Sequence, residues 1–208
     1  NAATAALGLE LGLPAVVDVL KRLGVHSKIE ALPSLTLGAY ELYPLEVLRA
    51  YTALSRFGSL IPLSVIRSVE DLEGSSLYVF APLPTQVVAR EKTAILIGMM
   101  KPIAQKSSFP HPAAGKTGTT SDTKDAWFGG FTPFHTAIVW VGYDDNTPSG
   151  LTGTTGAIPI WSRYMNNFAN EHPNQDFIWP EGVVVDTTTQ LVFQRGTEPQ
   201  SDPQGESR

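Results

Sequence analysis

Apolar residues in the first third of the chain recur at helical spacing. In PAVVDVLKRLG, Val16, Val17, Leu20 and Leu23 share one face, Pro14 stands in a first-turn position and Gly24 supplies a stop. PLEVLRAYTALSRF, Pro44 to Phe57, repeats that grammar with a stripe of Leu45, Leu48, Tyr51 and Leu54 and Gly58 behind it. Ala2 to Leu11 alternates small residues with leucines and reads as the start of a buried helix. Val65 to Val69 and Leu77 to Phe80 flank the turn-rich EDLEGSS and predict a hairpin. Gln86 to Met100 predicts a further helix, closed by Pro102.

The period then changes. Gly115 to Thr120, Ala126 to Phe131 and His135 to Tyr143 read as three strands, and the short links between them favour antiparallel pairing. Ala157 to Ala169 returns to helical spacing, with Ile158, Trp161, Tyr164, Met165 and Phe168 on one broad face. Beyond Glu171 the composition shifts. A weak strand pair is expected at Val183 to Val185 and Leu191 to Phe193, and GTEPQSDPQGESR reads as a disordered tail. Residues 1–170 are thus expected to form one structural unit and 171–208 an extension, largely disordered after 196. Helices, then an antiparallel meander, then a helix point to helices packed on a sheet.

Composition narrows the function classes. The 208 residues are 42% apolar and 17% charged, which is globular material long enough for a sizeable core. A net charge of −5 without a basic run argues against a nucleic-acid partner. The absence of cysteine excludes disulfides, thiolate metal sites and a thiol nucleophile. His26, His111, His135 and His172 are scattered without ligand spacing, so no metal site is expected. Apolar runs such as Ala94 to Met100 are far shorter than the roughly 20 residues of a membrane span. The opening NAATAALGLELG has neither a basic n-region nor an initiating methionine and reads as the interior of a helix-bearing domain, so a fragment is expected.

The candidate chemistry sits in AAGKTGTTSDTKDAWFGGF. Lys116, Gly118 and the hydroxyls of Thr117, Thr119 and Thr120 form a cationic, hydrogen-bonding ledge at a strand edge. Gly115-Lys116-Thr117 also ends a phosphate-binding loop, but that pattern needs glycine where Pro110 stands. SSFPHPAAG is too stiff to wrap phosphates with backbone N–H groups. Acyl transfer suits the ledge better: it offers a backbone N–H for an oxyanion, a positive charge for a substrate carboxylate, and hydroxyls to hold it. Period-two alternation puts Thr117 and Thr119 on one side, and Gly118 between them permits close approach.

AGKTGTT, DAWFGGFTP, TAIVWVGYDDN and GAIPIW, in this order, resemble the carboxyl-terminal part of the transpeptidase domain of class A penicillin-binding proteins, the bifunctional type. TLGAYELYPLEVLRAYTALSRFG is similar to the helical lobe of that domain, and NAATAALGLELG to the helix after its Ser-x-Asn motif. The resemblance implies an α/β (α+β) fold: an antiparallel sheet flanked by helices, with an all-helical lobe beside it. It implies that Lys116 assists proton transfer and attracts the substrate carboxylate, that Thr117 and Thr119 hold that carboxylate, and that the Thr119 N–H is one oxyanion donor. Asn1 would be the Asn of Ser-x-Asn, touching the acyl amide. The expected ligands are a peptidoglycan stem peptide ending in D-Ala-D-Ala and β-lactam antibiotics, with no cofactor. The nucleophile's Ser-x-x-Lys would lie in an upstream segment, with an anchor and a glycosyltransferase domain, at the extracytoplasmic face of the bacterial membrane. A D,D-carboxypeptidase or β-lactamase of the same fold, or a non-catalytic penicillin sensor, is the alternative.

Two mimics of the missing motifs are set aside. Ser121-Asp122-Thr123-Lys124 spells Ser-x-x-Lys in a strand connection, where no helix brings lysine one turn from serine. Tyr164-Met165-Asn166 lies in the last helix. Trp127, Phe128, Phe131 and Trp140, conceivable as a sugar platform, read as sheet core. Asp122 and Asp125 read as residues of the turn into the next strand, either of which could touch substrate; Asp144 and Asp145 read as turn acids, and His111 as a loop residue that could border the cleft.

Overall fold

The computed structural model describes residues 1–171 and 173–199. Helices α1 (Ala2–Leu11) and α2 (Leu13–Arg22) meet at Gly12, whose φ of 85° breaks the helical path. Against expectation α1 is not buried: of its residues only Gly8 is, packed on Thr36, while Leu7, Leu9 and Leu11 are exposed. Leu9 points to the side of the helix opposite Leu7 and Leu11, so the three make no single stripe that could be covered. α2 does have a stripe, and Leu23 and Val25 behind it enter the core. With the single turn Pro33–Leu37, α1 and α2 form the helical part of the molecule.

Helix α3 (Pro44–Ser55) begins at its proline, as the sequence predicts. Two short strand pairs follow: β1 (Ser59–Leu60) with β4 (Thr85–Gln86), and the exposed hairpin β2 (Ser68–Glu70) with β3 (Ser76–Val79). Helix α4 spans Arg90–Ala104, starting later than predicted and running through Pro102. The late start has a cause. The Gly58 carbonyl accepts from the N–H groups of Val87 and Val88, and the Gln86 amide donates to the carbonyls of Phe57 and Val88. Those bonds hold residues 86–88 extended.

The central sheet is β5 (Ala114–Thr119), β6 (Ala126–Phe131) and β7 (Thr136–Val141), antiparallel in that order. Helices cover both of its faces. α3 lies on one, where Tyr51 meets Phe131 edge-on. On the other lies α5 (Ile158–Asn166), which starts one residue later than predicted, after the wider turn Gly153–Ala157. It ends three residues earlier than predicted, where Asn167, Phe168 and Ala169 bond to carbonyls three residues back. Trp161 and Met165 of α5 are buried, whereas Tyr164, expected on the same face, is exposed. Gly129 and Gly130 make the three layers close. A Cβ on Gly129 would stand 2.5 Å from the Tyr51 ring, and one on Gly130 2.7 Å from the Trp161 ring. Each absent side chain lets an aromatic ring lie directly on the strand.

Helix α4 packs along the beginning of β5, burying Ile97 and Met100 with Ala114. The residues past 170 fold back onto this core. Phe177 is buried between Phe57 and Phe131, with Trp179 beside it, and β8 (Val183–Val185) pairs with β9 (Val192–Gln194) against α4. Of the tail expected to be disordered, residues 200–208 lie outside the described residues, as does His172. Among the described residues no single helix is long and apolar enough to cross a membrane.

Candidate active site

The two halves of β5 differ. Ala114 and Gly115 are buried beneath α4, while Lys116 and Thr119 are exposed. The strand therefore emerges from the core as its sequence turns from small apolar residues to Lys-Thr-Gly-Thr.

Register fixes what each group faces. Gly118 lies across from Trp127 and Thr119 from Ala126, and the Thr120 N–H donates to the Asp125 carbonyl at 3.2 Å. In an antiparallel ladder successive residues turn their N–H and C=O alternately toward and away from the partner. Since Thr120 and Gly118 face β6, the N–H and C=O of Thr117 and Thr119 face the open edge. Lys116 illustrates this: its Nζ reaches around to the outward carbonyl of Thr117 at 2.8 Å. No ion pair engages that ammonium among the described residues.

Side chains alternate likewise. Lys116 shares its face with Gly129 and Trp127, the α3 side; Thr117 and Thr119 look toward the Gly153–Ala157 turn. Gly153 donates its N–H to Thr119 Oγ1 at 3.0 Å. A Cβ there would lie 2.8 Å from Thr117 Cβ and 2.5 Å from the Trp127 carbonyl oxygen, so only glycine brings this turn so close. The turn is stiffened by a reciprocal capping box between Thr152 and Thr155. The open edge thus runs between an ammonium on one face and two hydroxyls on the other, with the Thr119 N–H pointing outward. It can hold a carboxylate and stabilise an oxyanion.

Thr120 is committed elsewhere. Its hydroxyl donates to Asp125 Oδ2 at 2.9 Å and accepts from the Asp125 N–H at 2.8 Å. Asp125 Oδ1 accepts from Trp140 Nε1 at 2.8 Å. From the sequence Asp125 reads as a turn residue or a substrate contact; pairing Thr119 with Ala126 sets Thr120 opposite it. Asn1 heads α1, exposed and without a side-chain cap bond; that helix packs on α2 and the Pro33–Leu37 turn. Lys116 to Thr120 therefore stand together on one strand end, and Asn1 on a separate helix.

Ser121 and Lys124 flank a short 3₁₀ turn in which Asp122 has a φ of 59°, so no α-helical turn aligns them. Phe128 and Phe131 are core, but the tryptophans are not: Trp127 is half-buried and Trp140 is 38% exposed, their rings 6.2 Å apart. A groove of about 410 Å³ bordered by Lys101, Gln105, His111 and Asn174 opens at the far end of β5. It includes none of the ledge residues, and the ledge itself is a wall rather than a pocket.

No family model matches the chain. Solved structures define the fold. Penicillin-binding protein 1A from Haemophilus influenzae superposes with a TM-score of 0.82 at 24% identity, over 98% of this chain and 40% of that one. Penicillin-binding protein A from M. tuberculosis, solved as a ceftriaxone acyl-enzyme complex, gives a TM-score of 0.68 at 20% identity, over 79% and 45%. The fold is that of the penicillin-binding transpeptidase structures. In sequence, penicillin-binding protein 1B of Vibrio cholerae is 38% identical over 194 residues, 89% of this chain and 25% of that protein. The chain belongs to the class A penicillin-binding proteins, and its matches fit the C-terminal part of their transpeptidase domain. It spans 21–30% of the length of the first curated relatives it matches.

Proposed function

We propose that the Lys116–Thr119 edge is the substrate-holding wall of a serine acyl-transfer site, and that the complete protein is a peptidoglycan D,D-transpeptidase. The observation that carries this reading is the outward Thr119 N–H, set between an ammonium that no carboxylate pairs among the described residues and two hydroxyls. A stem peptide ending in D-Ala-D-Ala would lie along the open edge. Its carboxylate would meet Lys116 from one face and Thr117 and Thr119 from the other, while Gly118 leaves room for the peptide backbone. A serine from an upstream segment attacks the penultimate carbonyl, and the oxyanion accepts from the Thr119 N–H. The terminal D-alanine leaves with a proton as the acyl-serine ester forms. An amine of a neighbouring stem then attacks that ester, forming the crosslinking amide while the serine leaves and regains a proton. Asn1 would approach the acyl amide from the helical side. β-Lactams, which also present a carboxylate, acylate the same serine; the ceftriaxone acyl-enzyme of the M. tuberculosis relative supports this. The site works without a cofactor, at the extracytoplasmic face of the membrane.

Fluorescent penicillin tests the reading. The complete protein is expected to take a covalent label, the 208-residue chain alone to take none, and Lys116→Ala in the complete protein to label at least about tenfold more slowly. Label on the isolated chain would return Ser121 to consideration, and unchanged labelling of the Lys116 variant would remove that residue from the site.

A further inference from the structure

We propose that Asp125 is a positioning residue for acyl transfer, acting through Thr120 to hold the Thr119 N–H in place. The proposal rests on the functional reading above and assigns a role to a carboxylate that no step of that reading uses.

The ledge leaves the core at Ala114 and is exposed by Thr119, so its catalytic end needs an anchor beyond the last paired residue. Asp125 supplies one through four contacts. Its carbonyl accepts from the Thr120 N–H (3.2 Å), its N–H donates to Thr120 Oγ1 (2.8 Å), and Oδ2 accepts the proton of that same hydroxyl (2.9 Å). Oδ1 accepts from Trp140 Nε1 (2.8 Å) on β7. Trp140 in turn lies against Trp127, the residue across from Gly118. Both oxygens of one carboxylate thus join the residue after the oxyanion donor to the third strand of the sheet. The peptide plane carrying the Thr119 carbonyl and the Thr120 N–H is fixed from the β6 side, and the preceding N–H can rotate little.

Asp125 is not suited to touching substrate. Both its side-chain oxygens already have donors within the sheet, on the β6–β7 side of the strand rather than at the open edge. Nor does the chemistry require its charge. An asparagine could accept from Trp140 with its carbonyl and donate to Thr120 Oγ1 with its amide, whereas an alanine can do neither.

That difference makes the test specific. Acylation of the complete protein by fluorescent penicillin is followed to separate the pre-acylation dissociation constant from the acylation rate constant. Asp125→Ala is expected to lower the rate constant about 10- to 100-fold, the scale of a misaligned oxyanion donor, with the dissociation constant within about twofold. Asp125→Asn should restore most of the rate. Thr120→Val, which removes the hydroxyl with its bonds to Oδ2 and to the Asp125 N–H but keeps the Thr120 N–H bond to the Asp125 carbonyl, should slow acylation similarly, and the double variant should be no slower than either alone. The Thr120 variant decides the matter if Asp125→Ala does not fold. A rate constant unchanged in Asp125→Ala or Thr120→Val, or a loss confined to the dissociation constant or to the labelled fraction, overturns the proposal while the functional reading stands. A complete wild-type protein that takes no label overturns both.

Discussion

Single residues carry more of this site than their types announce. Tyr51 belongs to the apolar stripe of α3, and its ring lies against Gly129, the residue paired with Lys116. Burial pushes its hydroxyl from the ordinary 10 up to about 12. In the unfolded chain that hydroxyl ionises near 10, so between the two values the unfolded state holds fewer protons than the folded one. Stability from keeping Tyr51 neutral is complete below pH 10 and is lost as pH rises toward 12. Tyr51→Phe should flatten this alkaline fall by about 1–2 kcal/mol, seen as a smaller drop in urea midpoint between pH 9 and 11 than in wild type. A parallel fall in both proteins would mean that the ring is less desolvated than the fold implies. Asp125 teaches a related lesson: a turn acid by sequence becomes a strut once its neighbours are placed.

Among the elements, the three-stranded sheet was the most legible. The run of apolar and small residues from Ala126 to Phe131 marked β6, and the short links gave the pairing. Gly129 and Gly130 are the places where Tyr51 and Trp161 come into contact with that strand. Gly130→Ala would put a methyl 2.6 Å from the Phe128 ring and 2.7 Å from Trp161. Such overpacking should cost about 1–3 kcal/mol, read as a lower urea midpoint, and an unchanged midpoint would show that α5 can move aside. What could not be read was set by distant partners. The late start of α4 depends on the Gly58 carbonyl, 29 residues before Val87. The exposure of α1 has a local reason: Leu9 stands on the opposite side of the helix from Leu7 and Leu11. Within the site, Lys116 to Thr119 were evident from residue type and period. The clamp on Thr120 and the Gly153 contact to Thr119 were not, because each joins a strand end to a loop whose path only the fold defines.

At the scale of the molecule, one core cluster runs from the helical part to the segment after α5. Leu23 and Val25 enter it from behind α2, Ile97 and Met100 from α4, and Phe177 from the segment after α5. Composition marked the residues past Glu171 as an extension, yet Phe177 is only 4% exposed and contacts Phe57 and Phe131 edge-on. Phe177→Ala should therefore cost about 3–5 kcal/mol in urea unfolding, the cost of an aromatic removed from a core. A loss below 1 kcal/mol would mean that the segment merely rests on the surface. This late-coming phenylalanine also sets an order in time. Chains emerge from the ribosome amino end first, and domains tend to fold as units. The ledge is synthesised some sixty residues before the ring that closes the core behind it, so each new molecule must wait, its binding wall already made and not yet braced, until nearly the last of these strands has been translated.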